Sequence, residues 1–422
     1  MAQFEIHGGK RLKGSIEIMG SKNAALPLIC ATILTEEKCT ISNVPEIEDV
    51  NVLIKILKKL GSKINYISPN TIEIQTTKII NPKIDPHLTH RLRASVLLMG
   101  PLLARTGKMQ MIHPGGCYIG TRPVGTHFEA LEAIGAKITQ DNVNYYAEAK
   151  YLKGATVYLD EQSVTATENI IMAAAMAHGI TIIKNAACER HIVLLSKFLN
   201  SMGAQISGAG TNKIKIIGKN KLKGAKIKVI DDEIEVGTFI ALALATKSNL
   251  NLIASSFEGM EPIFHKAEKM GAILKIKKEK NKSILKINTP KEIFATRIQC
   301  SPWPGFPTDL HPLFAVAATQ AQGVSLVHDW MYERRLFYVD ELIKMGASIV
   351  ICDPHRALIS GPTKLFGTHI ISPDIRAGTA LVIAALTAKG KTVIENIDLI
   401  ERGYYMIEKR LKKIGADIKR IE

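Results

Sequence analysis

Two kinds of apolar stretch alternate along the chain. One kind is amphipathic: Leu53, Ile56, Leu57 and Leu60 fall on one helical face, as do Tyr404, Ile407, Leu411 and Ile414 near the C-terminus. The other kind is rich in Ala and other small or apolar residues on nearly every side, which predicts helices enclosed in a core. Residues 23–34, 94–105, 166–177, 236–246, 308–322 and 377–388 are of this second kind. A short β-prone segment follows each, at 39–42, 109–112, 180–183, 250–253, 324–327 and 391–394. The amphipathic stretches close on a Gly-small-x-Ile/Leu signature, as in Gly61-Ser62-Lys63-Ile64. The signature recurs at Gly135, Gly203, Gly271, Gly346 and Gly415. A glycine at that place suits the left-handed turn by which a chain leaves a helix, and an alternating strand follows it.

The chain therefore reads as six copies of one unit: buried helix, strand, exposed helix, strands. Three units would enclose three buried helices in a wall of sheets, and six make two such α/β domains. The expected division is 22–229 for one domain, which carries the loop around Cys117, and 1–21 plus 230–422 for the other. The active site is expected in the cleft between them. Residues 1–21 are expected to supply strands to the sixth unit. A chain of 422 residues also exceeds what one hydrophobic core usually supports.

Charge narrows the function. A formal charge of +16 implies an anionic partner, either nucleic acid or a phosphorylated small molecule. Aromatics are only 5%, with no stacking-platform pattern, no zinc spacing and no basic tail, which argues against nucleic acid. The lysine-rich run 275–282 reads as a solvated hairpin. Six cysteines without a Cys-x-x-Cys pair argue against a metal knuckle or a redox dithiol. The N-terminus has no apolar signal core, and no apolar run reaches the roughly 20 residues of a membrane helix, so the expected location is cytoplasmic. Charged and polar residues recur where the buried helices begin: Lys22, Arg93, Ser163, Thr167, Glu235, Asp309 and Arg376. Helix N-termini attract anions, so converging ends would make an electropositive cleft.

One loop stands apart. In His113-Pro114-Gly115-Gly116-Cys117-Tyr118-Ile119-Gly120-Thr121-Arg122-Pro123-Val124, three glycines surround a thiol and a guanidinium follows five residues later. A nearby cation favours thiolate, so Cys117 is a candidate reactive group. A lone free cysteine is more often a small buried hydrophobe, but the glycine setting outweighs that reading here.

Five motifs together carry a resemblance. They are Gly20-Ser21-Lys22-Asn23-Ala24-Ala25-Leu26-Pro27, the Gly-Gly-Cys loop, Phe306-Pro307-Thr308-Asp309, Asp374-Ile375-Arg376-Ala377-Gly378 and Glu401-Arg402-Gly403-Tyr404. From about residue 5 to the C-terminus the chain resembles the UDP-N-acetylglucosamine 1-carboxyvinyltransferase family of enolpyruvyl transferases. The resemblance implies two inside-out α/β barrel domains, each of three repeated units with buried helices surrounded by sheets. It implies transfer of the enolpyruvyl group of phosphoenolpyruvate to the 3-hydroxyl of UDP-N-acetylglucosamine, with release of phosphate. No metal or organic cofactor, no nucleic acid and no membrane is implied, and a monomer more than an oligomer.

By the same resemblance Lys22, Arg122 and Arg402 hold phosphoenolpyruvate, with Arg93 and Arg376 in support, since planar cations match phosphate and carboxylate. Cys117 is the general acid toward the methylene carbon and Asp309 the base at the sugar hydroxyl. Asn23, Pro123, Val124, Ser163, Val164, Glu189, Trp330 and Asp374 are implied substrate contacts. Taken singly, Asp309 and Asn23 would read as helix caps. The chain departs from the family at Gly125, where an Asp is usual, and at Thr165, where a Gly is usual. It departs again at Arg190-His191 in place of Pro-Glu and at Glu233 in place of Arg. These departures bear on the acceptor. The rival enzyme, 5-enolpyruvylshikimate-3-phosphate synthase, lacks the cysteine loop. Intact Lys22, Cys117 and Asp309 weigh against a non-catalytic nucleotide-sugar or RNA-binding paralogue.

Overall fold

The six apolar stretches fold as helices with 3-10 extensions: α1 (Lys22–Ala31), α2 (Met99–Thr106), α3 (Val164–Ala174), α4 (Glu233–Thr246), α5 (His311–Ala318) and α6 (Ile375–Thr387). The computed structural model describes residues 2–115, 119–120 and 122–422. Every residue of α4 is buried, and so is every residue of α6 except Thr387. The stretch expected at 94–105 is half 3-10 (Arg93–Leu98) and half α. Pro101 explains the break, because its ring crowds the carbonyl four residues back, at Leu97, and it has no N–H to donate. Pro312 likewise stands in the first turn of α5, with 3-10 turn Thr308–Leu310 ahead of it. The signature glycines Gly61, Gly135, Gly203, Gly271, Gly346 and Gly415 all have positive φ, between 94° and 111°. They end the exposed helices as the pattern requires.

The chain separates into two domains. The first comprises residues 20–115 and 122–230 and contains α1, α2 and α3. The second comprises 2–19, 119–120 and 231–422 and contains α4, α5 and α6. Within the second, the three buried helices pack on one another; within the first, α2 packs on α3. Among the described residues the strands form six sheets, three per domain. The sheets repeat one rule. The strand after each buried helix is paired parallel to a segment on one side and antiparallel to a strand on the other. Around α3, for example, Thr156–Tyr158 runs parallel to Ile180–Lys184, which pairs antiparallel with Lys213–Ile217. In the sheet of Lys108–Ile112 the parallel place is held by a single bridge, Lys83 to Gln110.

Two segments break this β-α-β continuity. Lys13–Glu17 pairs parallel with Asn249–Ala254 of the second domain, yet the chain then enters α1 of the first. Lys226–Lys228 pairs parallel with Cys39–Ser42 of the first domain, yet leads into α4 of the second. Each segment thus gives its strand to one domain and its helix to the other. Gln3–His7 joins Lys391–Glu395 and Asp417–Ile421, completing the sixth unit as expected. Lys13–Glu17 corrects the expectation, because it completes the fourth unit instead. Ile119 and Gly120 pack with the second domain, where the Arg334 N–H donates to the Ile119 carbonyl at 3.2 Å. The lysine-rich run lies on the exposed hairpin of Ile273–Lys278 and Ser283–Asn288. Among the described residues, no helix is long and apolar enough to cross a membrane.

Candidate active site

In the first domain the candidate residues gather at the starts of α1 and α3 and around the glycine loop. Ser21 holds the cap position of α1 without a side-chain cap bond, and Asn23 lies one residue inside the helix, so Asn23 is not a cap. Lys22 is mostly buried and its Nζ lies 3.4 Å from the Asp49 carboxylate. Arg93 donates to the carbonyls of Pro114, at 3.3 Å, and Arg122. Those two residues flank the loop, so one guanidinium ties both of its ends. Cys117 itself, with Gly116, Tyr118 and Thr121, lies outside the described residues. Arg122 is partly buried, Pro123 exposed and Val124 buried. Gly125 opens the helix Gly125–Ala133 with open space where a Cβ would stand. A side chain would fit there; nothing in the backbone demands glycine.

At the start of α3, the Ser163 hydroxyl accepts the Ala166 N–H at 3.4 Å, a cap bond, and Val164 is the first helical residue. Thr165 turns its hydroxyl to His127 Nε2, 2.9 Å away. Burial, with the cations Arg93 and Arg122 beside it, holds His127 down at about 3. The Thr167 hydroxyl accepts the Ala187 N–H, and Glu168 accepts from His191 Nδ1 at 2.9 Å, both side chains buried. Burial pushes Glu168 up despite His191. These two bonds moor the segment 186–191, and with it Glu189, to α3. Glu189 stands at the cap position of Arg190–Ser201 and does not cap it.

In the second domain the candidates centre on Asp309. It is not a cap: Pro307 precedes the 3-10 turn, and both Asp309 oxygens are taken by arginines. Arg335 Nη2 donates to Oδ1 at 2.8 Å and Arg376 Nε to Oδ2 at 3.0 Å. Both guanidiniums are buried, while the Asp309 side chain is 29% exposed. Burial pulls Arg335 down, and the carboxylates of Asp309, Asp374 and Asp329 more than offset it, so its pKa rises. Arg376 lies 5.2 Å from the Tyr404 ring centroid, and its Nη1 and Nη2 find no acceptor. Asp374 caps α6 through the N–H groups of Arg376 and Ala377, at 2.8 and 3.0 Å. Trp330 donates its indole N–H to the Cys300 carbonyl at 3.0 Å and leaves its ring half exposed. Beside it, the buried Asp329 accepts from Thr308. Arg402 is partly buried, directly after Asp398–Glu401.

Sequence reasoning missed Arg335 as a site residue. It sits in an unusual run, Tyr332-Glu333-Arg334-Arg335, and nothing local separates it from a surface arginine. α4 starts with the buried acids Asp232, Glu233 and Glu235, which suit the positive end of its dipole. Among the described residues, no three His, Cys, Asp or Glu side chains are placed to hold a metal ion.

Residues 6–411 match the family model of EPSP synthase (3-phosphoshikimate 1-carboxyvinyltransferase). The chain is 45% identical to a UDP-N-acetylglucosamine 1-carboxyvinyltransferase of Treponema denticola, over 99% of both chains. It is 44% identical to one of Bradyrhizobium diazoefficiens, over 99% of this chain and 98% of that one. Among solved structures, the enolpyruvyl transferase NikO from Streptomyces tendae shares the fold, with a TM-score of 0.90 at 22% identity over 99% of this chain and 98% of that one. EPSP synthase from Acinetobacter baumannii shares it at 0.76, with 20% identity over the whole of both chains.

Proposed function

The chain belongs to the EPSP synthase family of enolpyruvyl transferases, and on that premise we propose that it acts as its UDP-N-acetylglucosamine 1-carboxyvinyltransferase relatives are named to do. It moves the enolpyruvyl group of phosphoenolpyruvate onto the 3-hydroxyl of UDP-N-acetylglucosamine and releases phosphate, a step in peptidoglycan precursor synthesis. Lys22, Arg122 and Arg402 take the phosphate and carboxylate of phosphoenolpyruvate, with Arg93 and Arg376 in support. Asn23, Pro123, Val124, Ser163, Val164, Glu189, Trp330 and Asp374 contact the substrates.

Addition requires a proton at the methylene carbon, given by Cys117, while the sugar oxygen bonds to the neighbouring carbon and Asp309 takes its proton. Elimination returns a proton from that methyl carbon to the enzyme and breaks the carbon–oxygen bond to phosphate. The observation that supports this reading most is Asp309, oriented through both oxygens by buried arginines and still partly open to a hydroxyl. Both domains supply groups to the one reaction. We place the protein in the cytoplasm, as a monomer that acts on small molecules and binds neither nucleic acid nor membrane.

Phosphate release from phosphoenolpyruvate tests the proposal. Release is expected with UDP-N-acetylglucosamine and not with shikimate 3-phosphate. Release with shikimate 3-phosphate alone would transfer the chain to the rival activity. Tight nucleotide-sugar binding without turnover would mark a non-catalytic relative.

A further inference from the structure

We propose that Asp329 is a positioning residue for the acceptor side of the reaction, its two carboxylate oxygens separately aiming Asp309 and Trp330. This rests on the function proposed above, in which Asp309 is the base and Trp330 a substrate contact. Asp329 is fully buried. A carboxylate in such a place is costly unless donors surround it, and here the donors belong to the segments that carry those two residues. Oδ2 accepts the Thr308 hydroxyl, and Oδ1 accepts the Met331 N–H at 3.0 Å. Thr308 directly precedes Asp309, and Met331 directly follows Trp330.

The anchor is itself held. Asp329 comes straight after the strand Gly323–His328. Its N–H donates to the His355 carbonyl at 2.9 Å, and His355 Nδ1 donates back to the Asp329 carbonyl at 2.8 Å. From that fixed point, the Thr308 bond grips the 3-10 turn Thr308–Leu310 at its first side chain. Arg335 grips the same residue by its carbonyl, with Nε at 3.3 Å and Nη2 at 2.9 Å, and reaches Asp309 Oδ1 with the same Nη2. The Asp329 charge also helps to hold Arg335 protonated. The arginines therefore set where the Asp309 oxygens point, while Thr308 sets where the backbone that carries them lies. On the other side, the Met331 bond closes a side-chain turn around Trp330. The indole N–H then reaches the Cys300 carbonyl, and the Cys300 N–H donates to the His328 carbonyl at 2.9 Å, so the ring is braced against the same strand end. That ring stays half exposed, open to a ligand. One buried carboxylate thus fixes a base and a substrate-facing ring in a single frame.

Thr308→Val cuts only the arm to Asp309, whereas Asp329→Ala cuts both. Thr308→Val is expected to lower kcat about tenfold, with both KM values within about twofold. Thr308→Ser keeps the hydroxyl and should recover most of kcat. Asp329→Ala should lower kcat further and raise KM for UDP-N-acetylglucosamine about fivefold, leaving KM for phosphoenolpyruvate within about twofold. Adding Thr308→Val to Asp329→Ala should lower kcat no further, since the bond it removes is already gone. Unchanged kcat in Thr308→Val, an equally low kcat in Thr308→Ser, or additive losses in the double variant would overturn the link to Asp309. An unmoved acceptor KM in Asp329→Ala would overturn the link to Trp330. The Thr308 pair decides the first link even if Asp329→Ala does not fold. A parent chain that releases no phosphate with either acceptor defeats the functional reading instead, and the same cycle read in Tm then decides whether Asp329 holds the turn.

Discussion

The two domains repeat one plan and begin their buried helices with opposite chemistry. In the first domain the helix starts bring Lys22, Arg93 and the hydroxyls of Ser163 and Thr165. Lys22 is matched by Asp49, and Arg93 donates to the carbonyl oxygens of Pro114 and Arg122. In the second domain the starts bring Asp232, Glu233, Glu235, Asp309 and Asp374, and arginines meet the carboxylates of Glu235 and Asp309. Arg410 pairs with Glu235, while Arg335 and Arg376 pair with Asp309. The same architecture thus carries two kinds of helix start. One set bears cations and hydroxyls, and the other holds a carboxylate in a fixed pose.

The largest effect should come from the point where the second domain's charges converge. Asp309→Asn removes the candidate base and should lower kcat about a thousandfold. It also removes the counter-charge from two buried guanidiniums and should cost about 3 kcal/mol in denaturant unfolding. A normal kcat in a destabilised variant would reduce Asp309 to a structural role.

A smaller pair of changes separates the domains directly. Lys22→Gln should raise KM for phosphoenolpyruvate about tenfold with little change in Tm. Arg335→Gln should lower Tm more than Lys22→Gln does, because it unseats Asp309 and the Thr308 carbonyl together. Equal Tm losses in both would erase the distinction between a binding cation and a bracing one.

The smallest effect is on pH. His127 is held at about 3 and His311 at about 4, each first by burial, against an ordinary value of 6.5. The folded protein resists protonating them, so their contribution is intact above pH 6.5 and is lost as pH falls toward those values. At pH 5 each should cost about 2 kcal/mol, so His127→Phe or His311→Phe should flatten the fall in stability from pH 7 to 5. Asp232 runs the other way. Burial raises it to about 6, despite Arg376, so its contribution is present below the ordinary carboxylate value and is lost as pH rises through 6. Acidification from pH 7 to 5 therefore recovers about 1 kcal/mol at Asp232, and Asp232→Asn should steepen the fall. Unfolding followed at pH 5, 6 and 7 reads all three slopes.

Much of this was legible along the chain. The repeat, the enclosed helices and the left-handed glycines follow from local periodicity and from what a glycine alone can do with its backbone. Residues such as Lys22 and Asp309 stood out because motifs keep reactive groups at fixed short spacings. Pro101 signalled a break that the apolar pattern overrode, and the stretch split into 3-10 and α segments.

What the sequence by itself determined, then, is the repeating unit, the burial of its helices and the inventory of reactive side chains, since each depends on residues within one or two turns. Tertiary structure alone decided which strand completes which sheet, so that Lys13–Glu17 serves the fourth unit and not the sixth. It alone put Arg335 and Arg376 on the two oxygens of Asp309 and the Thr165 hydroxyl on His127. The reason is physical. Periodicity reports only whether a side chain faces inward, whereas the partner of a buried charge or hydroxyl is whichever group the fold delivers to the same dry space, and burial then makes that pairing obligatory.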